Sequence, residues 1–239
     1  EGECLVNYGL LGKRWNRDLP NLNLEPYVSM KIWKIEFPCG QITLEGIISI
    51  PEGLGPFGLI VMCHPHPLYG GNMFNNVVHG VCANLEKRGL AWLKFNFRGV
   101  GKSGGRFSDG IGEQEDARAA ISFGEKQERI DPDRIGVCGY SFGSIVAFAV
   151  AAQDPRVKAV AGISPFIQPP DLLDSCSRPK LFVTGTRDGF VDLQSLEEQV
   201  KKLPEPKELI LFPGADHFWS EDEEAMAEKV GQFFKKGLE

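Results

Sequence analysis

Residues 135–152 read IGVCGYSFGSIVAFAVAA, and the reading of this stretch decides the fold. IGVC is a short buried strand, and SIVAFAVAA is an apolar helix. Between them stands Gly139-Tyr140-Ser141-Phe142-Gly143, a G-x-S-x-G sequence at a strand-to-helix turn, the setting in which those letters carry chemical meaning. A serine at such a turn sits in a cramped backbone conformation, so the positions two away on either side must be small. Gly139 and Gly143 meet that demand. The turn would lift the Ser141 hydroxyl above the sheet and aim a helix N-terminus at it, where N–H groups and the helix dipole favour developing negative charge. The bland alternative is a helix-capping serine between two turn glycines.

Outward from this turn the chain alternates strand and helix. Residues 32–37 and 42–50 alternate apolar and polar side chains, as half-buried antiparallel strands do. Short apolar runs at 58–63, 90–97, 135–138, 157–163, 180–184 and 208–212 are each bounded by Gly, Pro or Asp. Helical patterns fall at 75–88, 113–127, 142–153, 193–202 and 221–236. This order predicts an α/β fold, a mostly parallel eight-stranded sheet with helices on both faces. Residues 30–239 read as one such domain. Residues 1–29 are rich in Asn, Leu and Gly, show no sustained period, and are set apart as an N-terminal extension whose role stays open.

Composition narrows the class. With 239 residues, 42% hydrophobic and 24% charged, the chain has ordinary globular usage. Its 26 Lys and Arg against 32 Asp and Glu leave a net charge of −6, so it lacks the basic field of nucleic-acid or anionic-membrane binders. Six cysteines form no CxxC pair, and no apolar stretch approaches the length of a membrane span. No secretory leader is visible at residues 1–20, and the expected location is the cytoplasm. The oligomeric state stays open.

A serine hydroxyl needs a positioned base. Of the four histidines, His79 falls within a helical pattern, and His64 and His66 follow an earlier strand. His217, in the loop PGADHFW after the last strand, can reach the same sheet edge as Ser141. Such a base must be held in one tautomer by an acceptor. Asp188, in GTRDGFVD after the seventh strand, is the candidate. Asp192 reads as the cap of the next helix, and Asp216 is too close in sequence to orient the ring. An oxyanion site would use the Phe142 N–H and an N–H from the loop CHPHPLYGGN. Pro65 and Pro67 have none to give, which leaves His66, Leu68 and Tyr69, with His66 favoured.

Two other patterns are read as structural. The His64/His66 pair lacks a third ligand at suitable spacing, so no metal is expected. Residues 99–104, GVGKSG, match G-x-G-x-x-G but open no immediate helix. Asn96 also stands where a P-loop needs its first glycine. A turn is the better reading, and no cofactor is expected.

Taken as a set, HPHPLYGGNM, FNFRGVGKSGG, DGIGEQEDARAA, DPDRIGVCGYSFGS and GADHFW resemble a group of small, lidless bacterial hydrolases related to dienelactone hydrolase, within the α/β-hydrolase superfamily. The order Ser141, Asp188, His217 is that superfamily's order of nucleophile, acid and base. The resemblance implies a serine hydrolase with its site at the carboxyl ends of the strands. Dienelactone hydrolases usually carry Cys where this chain has Ser141. The resemblance also places any lid after the sixth strand, where residues 164–179 are too few for a several-helix cap. Tyr69, Phe142, Phe166, Phe190 and Trp219 are then candidates to line an open pocket for a small-molecule ester. The expected activity is carboxylesterase-type hydrolysis of short-chain esters. A thioesterase or peptidase would use the same three residues, and a hydrolase-fold binding module would not turn over at all.

Overall fold

The computed structural model describes residues 29–238. The extension expected over residues 1–29 therefore lies, apart from Ser29, outside the described residues. The chain runs β1 (Met30–Cys39), β2 (Ile42–Pro51), β3 (Phe57–Cys63), α1 (Asn76–Lys87), β4 (Ala91–Phe95), α2 (Gly112–Gly124), β5 (Ile130–Tyr140) and α3 (Phe142–Gln153). It continues through β6 (Val157–Ile163), β7 (Lys180–Gly185), α4 (Leu193–Lys202), β8 (Lys207–Phe212) and α5 (Glu223–Gly237). The eight strands form one sheet in the order β1-β2-β4-β3-β5-β6-β7-β8. β1 pairs with β2, and β2 with β4, antiparallel; every later pair is parallel.

The alternation read at 32–37 and 42–50 is the β1–β2 hairpin, whose outer strand is mostly exposed. β3, at the centre of the sheet, is apolar at every position (FGLIVMC) because both its faces are covered. In β3, Leu59, Val61 and Cys63 join the core beneath α2, α3 and α4, while Ile60 and Met62 join the core beneath α1 and α5. Helix α3 is apolar around most of its circumference because it packs on β5 and β6 and against α2. Several boundaries differ from expectation by one to three residues, and that of β5 differs most. β5 begins at Ile130 instead of Ile135, because Ile130 pairs with Phe57 before a register shift admits the Asp131-Pro132-Asp133 segment that reads as a break.

β3 has β4 on one side and β5 on the other. The chain thus winds in opposite directions from the sheet's centre, which opens a crevice at the carboxyl ends of β3 and β5. Residues after β3, β5, β7 and β8 all emerge on that edge. Between β6 and β7, residues 164–179 contain turns and bends but no helix, so among the described residues no cap is built from that segment. Among the described residues, no helix is long and apolar enough to cross a membrane.

Candidate active site

Ser141 sits between β5 and α3 with φ 54° and ψ −120°, a conformation that costs a non-glycine residue about 1–3 kcal/mol. The flanking glycines are required by close approach. A methyl at Gly139 would collide with the Gly143 carbonyl, and one at Gly143 with the Cys63 and His64 carbonyls. The Ser141 side chain makes no capping bond to α3, which removes the bland reading of the motif. Its hydroxyl instead lies 3.0 Å from His217 Nε2.

His217 follows β8, and its Nδ1 lies 2.9 Å from both carboxylate oxygens of Asp188. A carboxylate only accepts, so Nδ1 carries the proton and Nε2 is left to accept from Ser141. Asp188 also accepts from the N–H groups of Phe190 (3.0 Å) and Val191 (3.2 Å). Burial opposes its charged form, but the hydrogen bonds from His217, Ser164 and the Phe190 N–H prevail and hold the carboxyl below its ordinary value. Asp192, the rejected alternative, caps α4 through the Ser195 N–H. Asp216 accepts from the N–H groups of Phe218 and Trp219 and shapes the His217 loop.

Phe142 is the first residue of α3, where a backbone N–H has no partner inside its own helix. The Phe142 ring stands 4.8 Å from the His66 ring and 5.6 Å from the Phe107 ring, which brings the loop after β3 against the nucleophile's turn. His64 anchors that loop. Its Nδ1 donates to the Pro65 carbonyl (2.6 Å), and its Nε2 accepts from the Phe97 N–H (3.1 Å), so both ring nitrogens are engaged. Burial pushes the His64 imidazole down to about 4. The 99–104 stretch is a turn after β4, with Gly99 and Gly101 at positive φ and the next helix opening only at Gly112.

The five aromatics expected to line a pocket divide. Tyr69 and Phe190 stand exposed at the rim. Phe166 is half-buried on the wall of a cavity of about 150 Å³ that also meets Val191, Asp192 and Leu196. Phe142 is nearly buried beneath the turn. Trp219 is a correction. It is fully buried in the core beneath α5, edge-on to Phe212, with its indole N–H donating to Ser164 Oγ at 3.0 Å. A tryptophan two residues after a rim histidine reads as rim, but φ of 60° at Trp219 turns the chain and sends the ring inward.

Several contributors escaped the sequence reading. Tyr140, buried on β5, donates its hydroxyl to the His217 carbonyl at 2.8 Å. Ser164, fully buried after β6, accepts from Trp219 and supports Asp188. Phe218 is exposed beside His217. Tyr140 had one visible signal, a polar-tipped aromatic interrupting an apolar strand directly before the candidate nucleophile. Ser164 had none.

This sheet order, with an uncapped rim carrying a strained serine, a carboxylate and an imidazole in that chain order, defines an α/β-hydrolase. Residues 107–233 match the model of the dienelactone hydrolase family, and the chain belongs to that family. An uncharacterized protein of Rickettsia prowazekii is 30% identical over 188 residues, which cover 74% of this chain and 78% of that protein. The thiohydrolase apmlB of Arthrinium phaeospermum is 32% identical over 184 residues, 75% of this chain and 58% of that protein. The solved structure of an alpha-beta serine hydrolase homologue from Coxiella burnetii is similar with a TM-score of 0.72 at 31% identity, covering 87% of this chain and 97% of that one.

Proposed function

We propose that this hydrolase cleaves small carboxylic esters through an acyl-enzyme formed on Ser141. The observation that carries the reading is the unbroken line from Ser141 Oγ through the His217 ring to Asp188, at 3.0 and 2.9 Å. Ser141 Oγ attacks the carbonyl carbon while Nε2 takes its proton, and Asp188 stabilises the imidazolium. The N–H groups of Phe142 and His66 receive the oxyanion. The imidazolium then gives its proton to the departing oxygen as the carbonyl–oxygen bond breaks. Water repeats the sequence, releasing the acid and restoring Ser141. Uncapped approach at the rim supports small substrates.

A fluorophosphonate probe should label Ser141 in the folded protein, and Ser141→Ala should lose labelling together with hydrolysis of p-nitrophenyl acetate. A wild-type chain that does not label is a binding module, and the enzymatic reading ends there. A thioester is the second reading, because a thiohydrolase is among the relatives. The same three residues serve it, and a matched pair of acetyl ester and acetyl thioester decides by kcat/KM. A cytoplasmic location belongs to the same proposal and is supported by Cys63, Cys82, Cys138 and Cys176 being buried free thiols.

A further inference from the structure

Two aromatic groups flank the site, and they stand at different ends of it. Rings of Tyr69, Phe107 and Phe142 gather around His66, with centroids 4.7, 5.0 and 4.8 Å from the imidazole of His66, on the side where the oxyanion donors lie. Phe190 and Phe218 instead flank the proposed base. Phe190 lies 4.6 Å from the His217 ring, Phe218 lies 5.6 Å from it edge-on, and the two phenyl rings meet each other at 6.0 Å in a T-shaped contact. Both are largely exposed, at 63% and 58%.

The chemistry tells these two ends apart. His217 Nε2 must come within hydrogen-bond reach of the departing atom to return the proton it took from Ser141. The leaving group is therefore the part of the substrate that lies beside His217, while the carbonyl oxygen lies at the Phe142 end. Resting on the acyl-enzyme reading, we infer that Phe190 and Phe218 form the leaving-group subsite and that it takes a neutral aromatic or apolar alcohol or thiol.

Charge sharpens the class. Phe218 is preceded by Asp216 and followed closely by Glu221, Asp222, Glu223 and Glu224. Glu223 is near in space as well as in sequence: the Asn76 amide donates both to the Phe218 carbonyl (3.4 Å) and to Glu223 Oε2 (2.7 Å). Lys87 pairs with Glu224 at 3.5 Å, and Arg187 is next to Asp188 in sequence. The excess is negative, so a phosphate-bearing thiol carrier meets repulsion where a neutral leaving group meets two rings.

The test separates acylation from deacylation. Acetyl esters of different alcohols give the same acetyl-enzyme, so a leaving-group subsite acts on acylation alone. In pre-steady-state kinetics, Phe190→Ala and Phe218→Ala should each lower acylation by p-nitrophenyl acetate about three- to tenfold. Methyl acetate should change less than about twofold, the deacylation constant should not move, and Phe190→Leu should restore most of the loss. Wild-type kcat/KM should be lower for 3-carboxy-4-nitrophenyl acetate than for p-nitrophenyl acetate, with the gap narrowing as salt rises. Equal losses for methyl and aryl esters, a shifted acyl-length profile with the alcohol held constant, or a preference for the anionic ester would each overturn the inference. Fluorophosphonate labelling of the same variants keeps the two levels apart. Its leaving group is fluoride, too small to use the rings, so labelling at wild-type rate shows Ser141 and His217 intact. Absence of labelling in the wild type removes the underlying reading instead.

Discussion

Tyr140 and His217 are joined by a 2.8 Å hydrogen bond from the phenol to the backbone carbonyl, so the residue directly before the strained serine holds the loop that carries the imidazole. β5 thereby positions both partners of the proton transfer, one through its own backbone and the other through a side chain. Tyr140 is buried, and burial, with Asp188 and Asp216 nearby, raises its pKa and keeps the phenol a donor. In Tyr140→Phe the ring stays and the bond goes. The expected loss is about 1 kcal/mol of stability, with kcat on p-nitrophenyl acetate down about tenfold and KM nearly unchanged. Urea titration and steady-state kinetics check both, and an unchanged kcat would show that the loop holds the imidazole without the bond.

The backbone at residue 141 makes a prediction in which the usual order of two substitutions reverses. Ser141→Ala and Ser141→Gly both delete the hydroxyl and its bond to His217. Alanine keeps a Cβ at φ 54°, whereas glycine tolerates that conformation freely. Glycine ordinarily costs about 0.5–1 kcal/mol relative to alanine inside regular structure, yet here Ser141→Gly should be the more stable variant by about 1 kcal/mol. Thermal melting of the two inactive variants side by side measures it. Equal melting temperatures would mean that the turn is not strained.

Where local pattern and position agree, the chain was readable in advance. Alternation at β1 and β2, continuous apolar runs at the parallel strands, and glycines two positions from Ser141 all reflect constraints that act within a few residues. Asp188 and His217 were readable because each follows a strand of a parallel sheet, and all such strand ends meet on one edge. Trp219 and Ser164 were not. Their contact joins the loop after β8 to the loop after β6, 55 residues apart, and depends on positive φ values at Ser164 and Trp219 that no local signal announces. The start of β5 was hidden for a related reason, since pairing with Phe57 overrides the turn-like Asp-Pro-Asp.

That hidden contact should be energetically coupled. Trp219 donates to Ser164 Oγ, and Ser164 supports the Asp188 carboxylate. Ser164→Ala orphans a fully buried indole N–H and is expected to cost about 1–3 kcal/mol. Trp219→Phe loses packing as well as the donor. In the double variant no N–H is left without a partner, so its cost should fall short of the sum of the two single variants by about 1 kcal/mol. Chemical denaturation of the four proteins measures the coupling, and strict additivity would show that the bond contributes nothing.

Acid should act on the loop after β3 before it acts on Asp188. Burial holds His64 neutral and outweighs the opposite pull of the Pro65 carbonyl, which leaves its pKa at about 4 in place of 6.5. The unfolded chain binds a proton there near pH 6.5 and the folded chain does not, so protons favour unfolding throughout that interval. The stability that neutral His64 maintains is complete above pH 6.5 and is lost progressively down to about pH 4, roughly 3 kcal/mol in all. His66, whose pKa burial also lowers against the pull of Glu113 and Asp109, adds in the same direction. Asp188, with its carboxyl lowered, keeps its contribution above the ordinary aspartate value of 3.8 and loses it only at lower pH. The expected profile therefore falls in two windows, with His64 in the upper one. Replacing the titrating ring isolates it. His64→Asn should be less stable than the wild type at pH 8, because the Phe97 N–H loses its acceptor, yet the gap should close as pH falls from 6.5 to 4. A gap that stays constant across that range would place the upper window on another group.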